Sequence, residues 1–249
     1  MSTAAATTTA RVALVTGASG GIGRAVAERL AADGVAVAVH YAGNREKAEA
    51  LASAITSRGG QAVAVGGDVA DEVAMAAAFD ATEAAFGGID VVVNAAGIML
   101  LSPVATLDLA DLDRMHRTNI RGTFVVARLA ANRVRPGGAI VNVSTTVTRT
   151  QLPTYGAYVA SKAAVEALGL VLARELRGRD VTVNTVAPGP TATPLFLEGK
   201  SEELVEQLAA ANPMNRLGAP EDVAETVAFL AGPARWVNGQ TLFTNGGMA

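Results

Sequence analysis

Seven short runs rich in Val and Ala punctuate the chain, at Val12–Thr16, Val35–Tyr41, Ala62–Gly67, Ile89–Ala95, Ala139–Ser144, Val181–Ala187 and Gln240–Thr244. Between them lie longer stretches of helical periodicity, at Gly23–Asp33, Arg45–Arg58, Asp71–Phe86, Leu109–Arg133, Tyr158–Arg177 and Pro220–Leu230. Most of the short runs are apolar at successive positions, so a strand built from one of them must be covered on both faces. Parallel strands joined by crossover helices meet that demand. The rhythm therefore predicts an α/β fold, a doubly wound, mostly parallel seven-stranded sheet with helices on both faces. Several predicted helices carry start signals. Asn44 stands where an N-cap would, Asp71 can cap the next helix, and Pro220-Glu221-Asp222 puts proline and acids in a first turn.

The 249 residues are 50% hydrophobic, enough for one substantial core, and no linker divides them, so residues 11–249 are expected to form a single domain. Formal charge is −3 and the charged residues are scattered, which argues against a nucleic acid or anionic membrane partner and for a small molecule. The absence of cysteine excludes disulfides and thiolate zinc sites, and His40 and His116 lack metal-ligand spacing, so no metal is expected. The opening Met1–Ala10 is rich in Thr and Ala without a basic flank or apolar segment, and no later apolar run approaches the roughly 20 residues a bilayer demands. The expectation is a disordered tail on a cytoplasmic protein. The longest stretch of uncertain structure, Pro188–Pro213, combines prolines, threonines and a short helical patch, and a lid is expected over about 190–213.

The first predicted strand runs into Gly17-Ala18-Ser19-Gly20-Gly21-Ile22-Gly23 and then a helix, so backbone amides and a helix N-terminus converge where a pyrophosphate could sit. Three residues separate Gly17 from Gly21, which is not the G-x-G-x-x-G spacing, and no Lys-Ser/Thr follows as in a nucleoside-triphosphate loop. A tight strand-to-helix turn would also call for glycine, but at the first strand of such a sheet the anion-binding reading prevails. Farther along, Tyr158 and Lys162 lie four apart on a predicted helix and share one face, so both can act on one ligand.

Thr16-Gly17-x-x-x-Gly21-x-Gly23 resembles the cofactor loop of short-chain dehydrogenases/reductases, and the resemblance extends from Arg11 to Gly247. It implies a Rossmann-type, NAD(P)-dependent oxidoreductase acting on CH-OH/C=O, in which Gly17, Ser19, Gly21, Ile22 and Gly23 cradle the cofactor. NAD-preferring members carry an acid at the end of the second strand, where Tyr41 stands here. Tyr41, Asn44 and Arg45 suit a 2′-phosphate better than a bare ribose, so NADP(H) is the preferred cofactor and NAD(H) the alternative. Gly20 stands where many NADP-dependent relatives place arginine. Asp68-Val69 resembles the family's adenine contact. Asn94-Ala95-Ala96-Gly97 is similar to its NAAG element, and Pro188, Gly189, Thr191 and Thr193 to the segment that binds the carboxamide.

By the same resemblance Tyr158 is the acid/base of hydride transfer, Lys162 holds the nicotinamide ribose and favours phenolate, and Asn119 orients a water leading from Lys162 to solvent. A tyrosine pKa near 10 must fall for the phenol to act as a base, and a drop of roughly three units corresponds to about 4 kcal/mol of differential interaction. The family's substrate-binding serine lies thirteen residues before the tyrosine, which falls on Thr145, with Ser144 beside it. Side chains alternate along a strand, so only one of the two can address the substrate, and register favours Thr145.

Ile98, Met99, Leu152, Tyr155, Leu195 and Phe196 would supply apolar walls for a small, moderately apolar ketone or the matching secondary alcohol. A 3-oxoacyl-thioester reductase acting on acyl-carrier protein is the alternative, kept open by Arg128, Arg133 and Arg174. A non-catalytic NADP sensor is the alternative of another class. The family also implies a homotetramer built on the two long helices and the final strand region, Trp236–Gly247.

Overall fold

The strands are short, and the five interior ones are buried along nearly their whole length. They are β1 (Val12–Thr16), β2 (Ala36–Tyr41), β3 (Ala62–Gly66), β4 (Ile89–Asn94), β5 (Val134–Val143), β6 (Thr182–Pro188) and β7 (Thr241–Thr244). A computed structural model describes residues 10–249 and arranges these strands in one parallel sheet of order β3-β2-β1-β4-β5-β6-β7. The tail expected to be disordered lies outside the described residues except for Ala10. β3 and β7 form the sheet edges, and they alone are mostly half-buried.

On one face pack α1 (Gly21–Ala32), α2 (Arg45–Ser57) and α10 (Pro220–Ala231), around a core that includes Val26, Leu30, Leu51, Ile55, Val227 and Leu230. On the other lie α3 (Glu72–Phe86), α5 (Gly122–Arg133) and α7 (Gly156–Glu175), around Met75, Phe79, Val126, Ile140 and Leu172. The strand order reverses direction at β1, between β2 and β4, and a crevice opens there beyond the strand ends. The ends are wired together. Thr16 Oγ1 donates to Asn94 Oδ1 at 3.0 Å and accepts the amides of Ala95 and Ala96 at 3.1 Å, while Asn94 Nδ2 reaches Thr123 Oγ1 at 3.1 Å.

Several sequence expectations are refined. The helix expected over Leu109–Arg133 is continuous, but a π-helical turn at His116–Arg121 separates α4 (Leu109–Met115) from α5. The widened turn carries Asn119, and Gly122 follows it because a Cβ there would sit 2.7 Å from a Val69 methyl. β5 begins at Val134, ahead of the expected Ala139, because the Pro136-Gly137-Gly138 stretch forms part of the strand, with a register shift between Ile89 and Val91. Asn44 makes no side-chain cap bond to α2, whereas Asp71 does cap α3 through the amides of Val73 and Ala74 at 2.9 and 3.0 Å. Finally, α7 is 20 residues long and apolar enough to cross a membrane by length and composition. It is nevertheless a helix packed on the sheet, burying Tyr158, Ser161, Lys162, Val165, Gly169, Leu172 and Ala173.

Beyond β6 the expected lid contains two short helices after a brief α6 (Val147–Thr150) earlier in the chain: α8 (Pro194–Leu197) and α9 (Glu202–Ala210). Thr193 and Ser201 cap them through the amides of Phe196 and Leu204. His40 on β2 is buried, and loss of solvent pushes its pKa down to about 4, so it stays neutral near pH 7.

Candidate active site

A cleft of about 460 Å³ opens at the crevice above β1, β4, β5 and β6. Its floor at one end is the Gly17–Gly23 loop, where Gly17, Ser19, Gly21, Ile22 and Gly23 all line the space. Gly17 has φ +65°, and a Cβ on it would lie 2.9 Å from the Ala96 backbone, so glycine is required twice over. At Gly20 the N-terminus of α1 has no side-chain cap, and no acid occupies the first turn. The unpaired amides and the positive end of the helix thus face the cleft, a fit for a pyrophosphate.

Asn44 lines the cleft, and so does Lys47, one cation that the sequence reading missed. Arg45 does not. Its guanidinium lies 2.7 Å from Glu49 one turn along α2 and is largely exposed. The i, i+4 spacing of Arg45 and Glu49 was the readable signal of that pairing. Tyr41 likewise stays off the cleft, with its ring against Gly66. Asp68 accepts the Ala70 amide at 2.9 Å and pairs with Arg117; partial burial pushes its carboxyl upward, but those two contacts outweigh it and leave the carboxyl below its usual range. Val69 is buried against Gly122. Asn94 is part of the buried clamp between strand ends, while Ala95 and Gly97 do line the cleft. A Cβ on Gly97 would come within 3.2 Å of both Asn119 Oδ1 and Lys162 Nζ. Pro188, Gly189, Thr191 and Thr193 line the far side.

At the other end Tyr158 and Lys162 share one face of α7, as their spacing requires. The Lys162 ammonium lies 5.9 Å from the Tyr158 ring centroid and donates to the Val143 carbonyl at 2.9 Å. Burial pushes the Lys162 pKa down to about 8. Burial also pushes the Tyr158 phenol above its ordinary value, with the nearby Tyr155 adding to the shift and a hydrogen bond with Thr145 opposing it. In the chain alone, desolvation dominates and the acid form is favoured.

Thr145 and Ser144 separate as strand alternation demands. Thr145 faces Tyr158, whereas the Ser144 hydroxyl turns to Glu166 at 2.5 Å. Asn119 lies behind the cleft. It accepts the Ile98 amide at 2.9 Å and donates to the Ile98 carbonyl at 2.9 Å and the Ser161 hydroxyl at 3.0 Å.

Met99, Leu152, Tyr155, Leu195 and Phe196 form apolar walls, but Ile98 is held by Asn119 and does not reach the cavity. Leu208 from α9 and Met248 near the C-terminus complete the wall; no local pattern marked them, since they lie far from the motifs in sequence.

Residues 17–249 match the family described as enoyl-(acyl carrier protein) reductase. The chain is 45% identical to a short-chain type dehydrogenase/reductase of Picea abies, with 95% of this chain and 92% of that protein aligned. It is 42% identical to an NADPH-dependent aldehyde reductase-like protein of Arabidopsis thaliana (95% and 93% covered). It is 41% identical to a 3-oxoacyl-[acyl-carrier-protein] reductase of Staphylococcus aureus (95% and 97% covered). Among solved structures, a dehydrogenase/reductase from Sinorhizobium meliloti superposes with TM-score 0.91 at 38% identity, covering 96% of this chain and 94% of that one. A short-chain dehydrogenase from Burkholderia cenocepacia in complex with NADP gives 0.89 at 38% identity, covering 96% and 97%. The chain belongs to the short-chain dehydrogenase/reductase family, a class of oxidoreductases.

Proposed function

We propose that this protein is an NADP(H)-dependent reductase of small, moderately apolar ketones, also able to oxidise the matching secondary alcohols, with Tyr158 as acid/base. The observation that carries this reading is one cleft with an uncapped helix N-terminus, Asn44 and Lys47 at one end and Tyr158, Lys162 and Thr145 at the other. NADPH, when bound, would supply the hydride. Thr145 would hydrogen-bond the carbonyl oxygen, and Tyr158 would break its O–H bond to give that oxygen a proton as charge develops there. A phenol kept protonated by burial suits that direction. Lys162 would stabilise the resulting phenolate and hold the ribose, and Asn119 would keep the Ile98 backbone and Ser161 in place behind it. NADP complexes and NADPH dependence among the relatives support the cofactor choice.

The apolar walls support an uncharged substrate. Of the three arginines that could dock an acidic carrier, Arg133 is neutralised by Asp80 and Glu83, Arg128 shares Glu72 with Arg121, and Arg174 forms no ion pair among the described residues, so the carrier-dependent alternative is left to the assay. The test follows NADPH and NADH consumption with ketones, diketones, an aldehyde and a 3-oxoacyl thioester. Turnover of ketones supports the proposal; turnover confined to the thioester transfers the protein to the carrier-dependent branch, and binding of cofactor without any turnover makes it a sensor. In the same assay Lys47→Glu is expected to cut the preference for NADPH over NADH by about 10- to 100-fold, the worth of one charge-assisted contact. An unchanged preference would remove Lys47 from the 2′-phosphate site.

We also propose a homotetramer assembled through the long helices and the end of the sheet. Phe124 on α5, Leu170 and Val171 on α7, Phe229 on α10 and the fully exposed Trp236 leave apolar surface on those elements. Light scattering is expected to give four chain masses, and a monomer would exclude the assembly.

A further inference from the structure

Glu166 has no part in the chemistry assigned above, yet it lies on α7 one turn beyond Lys162 and two beyond Tyr158. Its Oε1 accepts two hydroxyl hydrogen bonds, from Ser144 at 2.5 Å and from Thr148 at 2.9 Å. Those hydroxyls bracket Thr145. Ser144 precedes it at the end of β5, and Thr148 closes the turn after it, with its own Oγ1 also 2.9 Å from the Thr145 carbonyl. The Thr145 hydroxyl in turn accepts the Val147 amide at 3.3 Å. Among the described residues no Lys or Arg forms an ion pair with Glu166, so this half-buried carboxylate has the two hydroxyls as its side-chain partners.

We propose that Glu166 is a positioning residue: by tying both sides of the Thr145 turn to the helix bearing Tyr158 and Lys162, it sets the Thr145 hydroxyl against the phenol. The physical need is clear. Thr145 comes from the end of a strand and Tyr158 from a helix, and two hydroxyls aimed at one carbonyl oxygen must keep their separation within a fraction of an ångström to act together. A carboxylate supplies acceptors only, so it can take the Ser144 proton while the single Thr148 proton is shared between it and the Thr145 carbonyl, which fixes both hydroxyls beside Thr145. The proposal rests on the reading in which Thr145 binds the substrate oxygen.

A double-mutant cycle on the full chain tests it, with kcat read at saturating NADPH and ketone. Thr145→Ala is expected to lower kcat by about 100-fold, as for loss of one donor to a developing oxyanion. Glu166→Ala is expected to lower it by about 10-fold, with KM for NADPH unchanged, because a slight misplacement costs rate and not cofactor binding. The double variant is expected to be no slower than Thr145→Ala alone, the sign of a residue acting through another. Losses that multiply, to about 1000-fold, overturn the proposal, since a general structural role acts independently of Thr145. Glu166→Gln keeps an acceptor oxygen and is expected to recover most of the rate; a Gln variant as slow as the Ala variant also overturns it. If Glu166→Ala does not fold, Ser144→Ala combined with Thr148→Val empties the same two contacts from the loop side and takes its place in the cycle. Wild-type turnover and loss of activity in Tyr158→Phe test the reductase reading separately. When both hold and the cycle is multiplicative, only the role of Glu166 fails; a wild type without carbonyl turnover removes both.

Discussion

Tyr158→Phe is expected to lose about 10³-fold in kcat for ketone reduction, within the range that a single positioned proton donor contributes. Cofactor affinity should stay within about twofold, because the ring remains in place and the variant removes an atom that acts on the substrate oxygen. Stability should change by about 1 kcal/mol or less, the worth of one hydroxyl contact such as that with Thr145. Single-turnover kinetics with NADPH, read beside a thermal melt, separates these effects. A variant retaining a tenth of the rate would show that another group delivers the proton. The first to examine would be Tyr155, whose ring centroid is 6.4 Å from that of Tyr158 in an edge-on arrangement.

Lys162→Met is expected to move activity and stability in opposite directions. The ammonium is buried and its pKa falls from 10.5 to about 8, so below pH 8 the folded chain carries a charge that the unfolded chain would hold more comfortably. A shift of that size corresponds to about 3 kcal/mol of destabilisation. The sign follows from proton binding. Between pH 8 and 10.5 the unfolded state binds more protons than the folded one, so wild-type stability rises through that window as the folded lysine becomes neutral. Methionine removes the charge and also the hydrogen bond to the Val143 carbonyl, so a net gain of about 2 kcal/mol is expected at pH 7, turning into a loss of about 1 kcal/mol above pH 10.5, where only the hydrogen bond still counts. Ketone reduction should fall by about 100-fold or more in the variant, and in the wild type kcat/KM should decline above about pH 8 as the ammonium is lost. Denaturant melts at pH 7 and pH 10.5 supply the check. A variant less stable than wild type at pH 7 would mean that the ammonium is a net stabilising group in the fold.

Much of the site was legible because its signals are local. The strand-loop-helix at Val12–Gly23 and the Tyr158/Lys162 spacing depend on periods of two and 3.6, which any short stretch of sequence displays. Alternation implied that Thr145 and Ser144 face different ways, the family spacing pointed to Thr145, and the two hydroxyls do point to different partners. Around α2 the geometry departs from the expectations. Asn44 does occupy the N-cap position of α2, but its side chain makes no cap bond and the residue lines the cleft. Arg45 looked like the phosphate cation, but Glu49 engages it on the exposed side of α2 while Lys47, two residues on, reaches the cleft. The spacing of four that joins Tyr158 to Lys162 continues to Glu166, so its face was readable, but its two hydroxyl partners on the β5 turn were not.

The sequence by itself determined the doubly wound parallel sheet, the glycine loop at its first strand and the pairing of phenol and ammonium on one helix, because each follows from hydrophobic period, backbone sterics or residue spacing within a single element. Only the tertiary structure decided which groups face one another across the cleft. It brought Leu208 and Met248 to the wall formed by Leu152 and Phe196, joined Glu166 to Ser144 and Thr148 on either side of Thr145, and buried Tyr158 and Lys162 deeply enough to move both pKa values. Desolvation and cross-element contacts depend on what the rest of the chain places around a group, and elements distant in sequence are positioned by the packing of the whole core.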